Sequence, residues 1–277
     1  MPEHPSGSPK QMVVVPGIDA LTTAGDRLFV VVGVFDGLHL GHLYLLGRLR
    51  EEAARRRAVP AVVTFDHHPD EILTGAAPAL LCDPDERLER LEAAGVSVTI
   101  VQHFDLALRM TSYDTFVRRI AGRAPLAGFL MTPDSAFGHE RRGTPAAVAA
   151  LGAELGYDVA VIPPLNLDGR PVRSAEIRAD IASGDLRGAA RLLGRPYAVV
   201  GEGRTTSSGT TRLSFPMPVA LPPAGRYRAT VGPHNERGGV TTTAMIRPAG
   251  TLEIDAQATS SGVRGRLRVT FEAATAG

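Results

Sequence analysis

The stretch that most restricts this chain is the passage from residues 28–34, LFVVVGV, into Phe35-Asp36-Gly37-Leu38-His39-Leu40-Gly41-His42. Seven consecutive apolar or glycine residues read as a parallel strand buried on both faces, because a half-exposed antiparallel strand would alternate. The glycine-rich turn that follows leads into a helical pattern over residues 43–57, with Leu45, Leu46, Leu49 and Ala53 on one face. Pro60 closes that pattern, and residues 61–65 form the next strand. Strand, glycine turn, helix and strand in this order make a βαβ unit.

The alternation continues for about 190 residues. Helices are predicted over 85–94 with Asp83 as cap, 113–120 with Ser112 as cap, and 145–155 ended by Gly156. Two short helices over 174–183 and 186–193 flank Gly184, and strands are predicted over 96–102, 126–132 and 157–162. A doubly wound parallel sheet, α/β and Rossmann-like, accounts for this order. Beyond residue 193 the pattern changes. Residues 201–211 are rich in Gly, Ser and Thr, and short strands are predicted over 226–231, 241–246, 252–258 and 264–271. They predict a small antiparallel barrel or sandwich, and residues 273–277 are expected to fray. The expected domains are 1–197 and 198–277.

Composition narrows the setting. A single cysteine, Cys82, excludes an internal disulfide and a cysteine zinc cluster, which fits a reducing cytoplasm. Residues 1–10 are polar and proline-rich, without the apolar core of a signal peptide, and no run reaches the ~20 apolar residues of a membrane span. With a net charge of +1 the chain has no global field for nucleic acid or an anionic membrane, so small molecules are the expected partners. Oligomeric state is left open.

The turn after the first strand carries the chemistry. The place where a buried strand hands over to a helix amino terminus collects anions, and Gly37 and Gly41 permit close backbone approach to phosphate. His39 and His42, spaced i and i+3, suit the charge that builds on phosphoryl oxygens as a leaving group departs. The plainer alternative is a sheltered turn whose histidines cap backbone groups; the position behind a buried strand favours function. His67 and His68 suggest a metal pair, but adjacent residues at a strand end point apart, so no protein metal ligand is assigned. Residues 48–57, RLREEAARRR, read as a solvated helix face with Arg48–Glu52 and Glu51–Arg55 pairs, and Cys82 as a packed thiol.

Gly33 to His42 resembles the signature of the bacterial FAD synthetases, fused riboflavin kinase/FMN adenylyltransferases. Thr64-Phe65-Asp66-His67-His68-Pro69 is similar to that family's T-F-D-P-H-P, with His67 in place of proline. Asp134, Phe137-Gly138 and Arg142-Gly143 resemble its G-x-[DN]-F-x-F-G-x-x-x-x-G segment, with Thr132 and Ser135 as departures. Residues 172–178, VRSAEIR, resemble V-S-S-T-x-I-R, keeping Ser174, Ile177 and Arg178 while Arg173, Ala175 and Glu176 differ. Gly184-Asp185 and residues 192–197, LLGRPY, complete the likeness over about residues 28–200.

The resemblance implies adenylyl transfer from ATP to FMN, giving FAD and pyrophosphate, with Mg²⁺ bridging phosphoryl oxygens. It implies catalytic roles for His39, His42 and Arg178, nucleotide contacts from Gly33, Phe35, Asp36, Gly41 and Ser174, and acceptor contacts from His68, Asp134, Phe137 and Arg142. An amino-terminal cap or turn residue is the alternative for Asp134, which follows Pro133. The altered residues leave open another phosphorylated acceptor, or a flavin- or nucleotide-binding protein without catalysis. The family's carboxy-terminal kinase domain has G-x-P-T-A-N, where Thr and Asn help hold Mg²⁺-ATP. Here Ser214-Phe215-Pro216-Met217-Pro218-Val219 takes that place, and neither Met217 nor Val219 can ligate a metal. Glu253 falls near the expected base or is a solvent-facing residue of an alternating strand. The resemblance therefore implies a degenerate kinase barrel.

Overall fold

The computed structural model describes residues 11–23, 25–206, 209–236, 238–248, 250–255 and 265–272. The polar amino terminus 1–10, residues 273–277 where fraying is expected, Ser207 and Ser208, residues 256–258 and residue 264 lie outside the described residues. The chain divides into two compact units, and the first comprises Met1–Phe35, His42–Ala77 and Leu88–Pro164. The second comprises Asp36–Gly41, Pro78–Arg87 and Leu165–Gly277.

The elements of the first part run β1 (Val13–Val15), β2 (Leu28–Val32), α1 (Leu40–Arg55), β3 (Val59–Phe65), α2 (Pro69–Thr74), α3 (Pro84–Ala93), β4 (Val98–Gln102), α4 (Leu106–Arg109), α5 (Tyr113–Ala121), β5 (Leu126–Met131), α6 (Pro145–Leu155) and β6 (Asp158–Val161). The six strands form one sheet in the order β1-β4-β3-β2-β5-β6, and every pairing is parallel. The order reverses direction at β2 and β5, which is the doubly wound topology. Leu28, Phe29 and Val30 of β2 are fully buried, as a strand covered on both faces requires. A core of Val30, Val63, Ile100, Phe129 and Val117 is shared by strands and helices.

Several local signals act as their chemistry dictates. Thr144 caps α6 by accepting from the Ala147 N–H, and Gly156 ends it in the left-handed conformation. Asp83 caps α3, its Oδ1 accepting from the Asp85 N–H at 3.0 Å. Three elements escape sequence pattern: β1, α2 and α4 have 3, 6 and 4 residues, too few to show a period. Pro60 lies inside β3 rather than before it, and Glu52 rather than Glu51 is the hub of the basic helix face. Arg55 and Arg56 reach Glu52 at 2.6 and 2.5 Å, while Glu51 pairs with Arg48 at 2.6 Å.

The second unit continues with β7 (Asn166–Leu167), β8 (Arg170–Pro171), α7 (Ser174–Ser183), α8 (Leu186–Leu193), β9 (Ala198–Thr205), β10 (Thr210–Ser214), β11 (Gly225–Pro233), β12 (Val240–Ile246), β13 (Leu252–Asp255) and β14 (Gly265–Phe271). Strands β9 to β14 close into an antiparallel barrel in the order β10-β13-β12-β11-β14-β9. Four of these strands are legible in the sequence; β9 and β10 hide in the glycine- and threonine-rich stretch. There Gly203 makes room for the Leu267 side chain, which would lie 2.6 Å from an added Cβ. Ile177, Ile181, Leu192 and Leu193 of α7 and α8 share one core with Val199, Ala229, Leu267 and Phe271. By packing, these helices therefore group with the barrel, whereas the sequence expectation joins them to the sheet at a boundary of 197/198.

Candidate active site

In the first unit, the turns leaving the carboxyl ends of β2, β3 and β5 surround a cavity of about 610 Å³. Open parallel sheets bind ligands at this edge because the strand order reverses there and the loops diverge. Gly33 and Val34 follow β2, Phe65 ends β3 and His68 lies beyond it, and Phe137 follows β5; all line the cavity with Phe104 and Phe116. The aromatic walls are fixed against one another: Phe65 and Phe104 meet edge to face at 5.3 Å, and Phe116 and Phe137 meet at a tilt at 5.5 Å. His139, Glu140, Arg141 and Arg109 add a polar rim, which the sequence reading did not assign.

The predicted acceptor residues part company here. Phe137 and His68 line the cavity. His68 caps α2, its Nδ1 accepting from the Asp70 N–H at 3.2 Å. Asp134 and Arg142 are not among the lining residues. Asp134 lies in the exposed turn after β5 and accepts from the Thr132 hydroxyl at 2.8 Å, in keeping with a turn residue. Arg142 pairs with Glu140 at 2.5 Å and is 74% exposed. Its neighbour Arg141 is the arginine that lines the cavity, and only the fold of the 138–143 turn distinguishes the two.

Of the signature segment, Gly33, Phe35 and His42 belong to the first unit, and the Phe35 and His42 rings lie 5.0 Å apart. Asp36–Gly41 belongs to the second unit, where three side chains fasten it. The Ser174 hydroxyl donates to the Asp36 carbonyl at 3.2 Å, and Arg195 donates to the Gly37 carbonyl at 2.6 Å. Arg178 Nη2 donates to Asp36 Oδ2 at 2.6 Å, and its Nε to the Ala79 carbonyl at 2.8 Å. The Asp36 carboxylate also accepts from the N–H groups of Leu81, at 2.9 Å, and Cys82, at 3.3 Å. Burial pushes the Asp36 carboxyl above its ordinary value, opposed by Arg178 and these N–H groups. Asp36 thus holds Arg178 and the turn in shape, a structural task that the sequence does not announce.

Both glycines of the turn are required by the protein's own atoms. Gly37 has φ 78°, and an added Cβ would lie 2.9 Å from the Leu81 Cβ; at Gly41 it would lie 2.6 Å from the Val172 carbonyl oxygen. Cys82 packs beneath them and accepts from the Gly37 N–H at 3.3 Å, and burial raises its thiol to about 12. It is a packed thiol, inert as a nucleophile at neutral pH.

His39 is 4% exposed, and its pKa is lowered to about 4, first by burial and then by Arg195 and Arg178. It is a neutral imidazole at pH 7. A neutral donor flanked by two guanidinium groups offers a phosphate chain hydrogen bonding and charge without an acid to titrate.

In the barrel, the segment of residues 214–219 is mostly apolar and tied through its backbone. The Pro218 carbonyl accepts from the Leu80 N–H at 2.8 Å, the Ala220 N–H donates to the Leu80 carbonyl at 2.9 Å, and Val219 packs against the core. Glu253 corrects the expectation of a solvent-facing residue. It is 9% exposed, and Arg212 and Arg247 reach its two oxygens at 3.0 and 2.8 Å. These two arginines lower its pKa, the hydrogen bond from Arg247 contributing most.

Comparison with known proteins adds an independent line. The sequence model of a family described as FAD synthetase matches residues 22–176. A bifunctional riboflavin kinase/FMN adenylyltransferase of Haemophilus influenzae is 34% identical over 174 residues, 62% of this chain and 56% of that protein. This chain therefore spans little more than half the length of that relative. The protein of the same name from Escherichia coli K12 is 28% identical over 266 residues, 93% of this chain and 82% of its own length. A crystal structure described as a macrolide-efflux protein from Streptococcus pneumoniae aligns over 94% of this chain and 89% of its own, with a TM-score of 0.78. At 21% identity it establishes a shared fold alone.

Proposed function

This chain belongs to the FAD synthetase family, and we propose that it transfers the adenylyl group of ATP to the phosphate of FMN. A phosphate oxygen of FMN attacks the α-phosphorus, the bond from that phosphorus to the β-bridging oxygen breaks, and pyrophosphate leaves as FAD forms. The attacking oxygen is already anionic, so neither a general base nor a covalent nucleophile is needed; positioning and charge neutralisation carry the step. The observation that carries this reading is the aromatic-walled cavity at the carboxyl edge of the sheet, inside the segment matched by the family.

The residues take roles that follow from their surroundings. Phe65, Phe104, Phe116 and Phe137 offer flat apolar walls to the isoalloxazine ring, and His68 and Arg141 offer polar contacts at the same cavity. His39 donates to phosphoryl oxygens as a neutral imidazole, and His42 is the second donor. Arg178, already oriented by Asp36 and Ala79, presents Nη1 to phosphate, and Ser174 begins the helix behind it. Mg²⁺ enters as its ATP complex. Asp36, the carboxylate of the signature turn, is committed to Arg178, Leu81 and Cys82 and does not fit as its ligand, so no step is assigned to the metal.

The barrel has no riboflavin kinase activity on this reading. Met217 and Val219 replace the metal- and phosphate-holding pair, and Glu253, paired with two arginines, is a poor proton acceptor. Activity in the cytoplasm is proposed with it; among the described residues no helix is long and apolar enough to cross a membrane.

One incubation series tests both halves. ATP, Mg²⁺ and FMN should yield FAD and pyrophosphate by chromatography, whereas riboflavin in place of FMN should yield no FMN. Transfer to another phosphorylated acceptor but not to FMN would redirect the substrate, and nucleotide binding without any transfer would reject the enzyme. Steady FMN formation from riboflavin would reject the degenerate barrel.

A further inference from the structure

The departure of His67 from the family-like T-F-D-P-H-P pattern has no part in the reaction above, and the fold places it in a second cluster. β3 and β4 are parallel neighbours in register, with Phe65 opposite Gln102, so the residues just beyond their ends emerge side by side. Asp66, His67 and His103 are those residues, and one ligand atom from each lies within 4.8 Å of the others. His103 Nδ1 is 2.7 Å from Asp66 Oδ2, and His67 Nδ1 is 3.3 Å from Asp66 Oδ1. His68, the partner that sequence adjacency suggests, turns instead to cap α2.

We propose that Asp66, His67 and His103 form a binding site for a borderline divalent transition cation of the zinc class. Two imidazole nitrogens and one carboxylate oxygen are the donor set that such ions take, while Mg²⁺ and Ca²⁺ prefer oxygen alone. Ligand bonds of about 2.0–2.2 Å in a tetrahedron set neighbouring donor atoms about 3.3 Å apart. His103 Nδ1 lies 2.7 Å from Asp66 Oδ2, so this pair opens to admit an ion, while His67, 3.3 Å from the other oxygen Oδ1, turns toward the same Oδ2; one ligand atom of each residue already lies within 4.8 Å of the others.

The carboxylate is held in place from behind. Its Oδ1 accepts from the Phe104 N–H at 3.1 Å and from the His67 N–H at 2.7 Å, a backbone clamp that orients a metal-binding carboxylate. The side chains are 36%, 45% and 63% exposed for Asp66, His67 and His103, so an ion enters from solvent without displacing the core. Three protein donors leave one tetrahedral position for water or another oxygen ligand, the pattern of an open site rather than a closed structural one. None of this depends on the adenylyl-transfer reading, because no residue of the cluster has a role in that reaction.

The test is calorimetric titration of the full-length chain, free of any affinity tag, with ZnCl₂. Binding of one Zn²⁺ per chain that survives excess Mg²⁺ is expected. His103→Gln and His67→Asn should each weaken it at least tenfold, on the scale of or beyond the loss from removing a metal site's supporting partner. Both side chains are exposed, so the metal-free variants should keep the wild-type melting temperature. No zinc binding by the wild type, displacement by Mg²⁺, or unchanged affinity in both variants would overturn the site.

Discussion

Two segments of the second unit, the turn Asp36–Gly41 and the stretch 214–219, hold neighbouring parts of one chain by opposite means. The turn is fastened by side chains: Asp36 to Arg178, Ser174 to the Asp36 carbonyl, Arg195 to the Gly37 carbonyl. The barrel segment is fastened through its backbone, by Leu80, and through Val219 in the core. A segment held by polar side chains keeps hydrogen-bonding groups and charge at a defined place, which binding phosphate demands. One held by backbone and apolar packing keeps its place in the fold without any particular polar side chain. On the proposed reading, adenylyl transfer therefore depends on the signature turn, and the 214–219 segment serves the fold of the barrel.

The strongest way to break this contrast is Asp36→Ala. It leaves the Arg178 guanidinium without its carboxylate and strips acceptors from the Leu81 and Cys82 N–H groups. A loss of about 3–5 kcal/mol in unfolding free energy is expected by urea titration. A loss below about 1 kcal/mol would show that the turn is held by something else.

A second test uses pH. His39 has a folded pKa of about 4 against an ordinary value of 6.5, so the unfolded chain binds its proton more readily. The stability it confers is complete above pH 6.5, declines as pH falls toward 4, and amounts to roughly 3 kcal/mol at the limit. Urea midpoints at pH 7 and 4.5 should therefore differ more in the wild type than in His39→Gln, and equal differences would return His39 to an exposed, freely titrating state.

Smaller effects sharpen the catalytic half. His42→Ala should lower turnover by about a hundredfold or more, the scale of one lost transition-state donor, with ATP affinity changing less. Arg178→Lys keeps the charge but loses the fork that joins Asp36 Oδ2 and the Ala79 carbonyl, so about a tenfold loss in kcat/KM is expected. At the far end, Met217→Thr should leave FAD formation unchanged, because the proposed reaction uses no residue of the barrel segment.

How much was legible differs by residue. Helices α6, α7 and α8 begin and end where the sequence places them, because Thr144, Asp185, Gly156, Gly184 and Gly194 act within a few residues of the helix they bound. Strands β9 and β10 were illegible because glycine and threonine give no alternation; the closed barrel supplies their partners instead. In the candidate site, Phe137 and His68 were legible as cavity residues. Arg141 was not, since choosing it over Arg142 requires the path of one turn.

The sequence by itself determined the alternation of the longer strands and helices, the place of the signature turn and the presence of a second, strand-rich region. Those properties rest on apolar periodicity and on backbone freedom at glycine, which act over a few residues. Only the tertiary structure decided that Asp36 belongs to Arg178, 142 positions away, that His103 stands beside Asp66, 37 positions away, and that Glu253 is shared by Arg212 and Arg247. Such pairs depend on strand register and on which helix closes over which turn, and no local spacing encodes either.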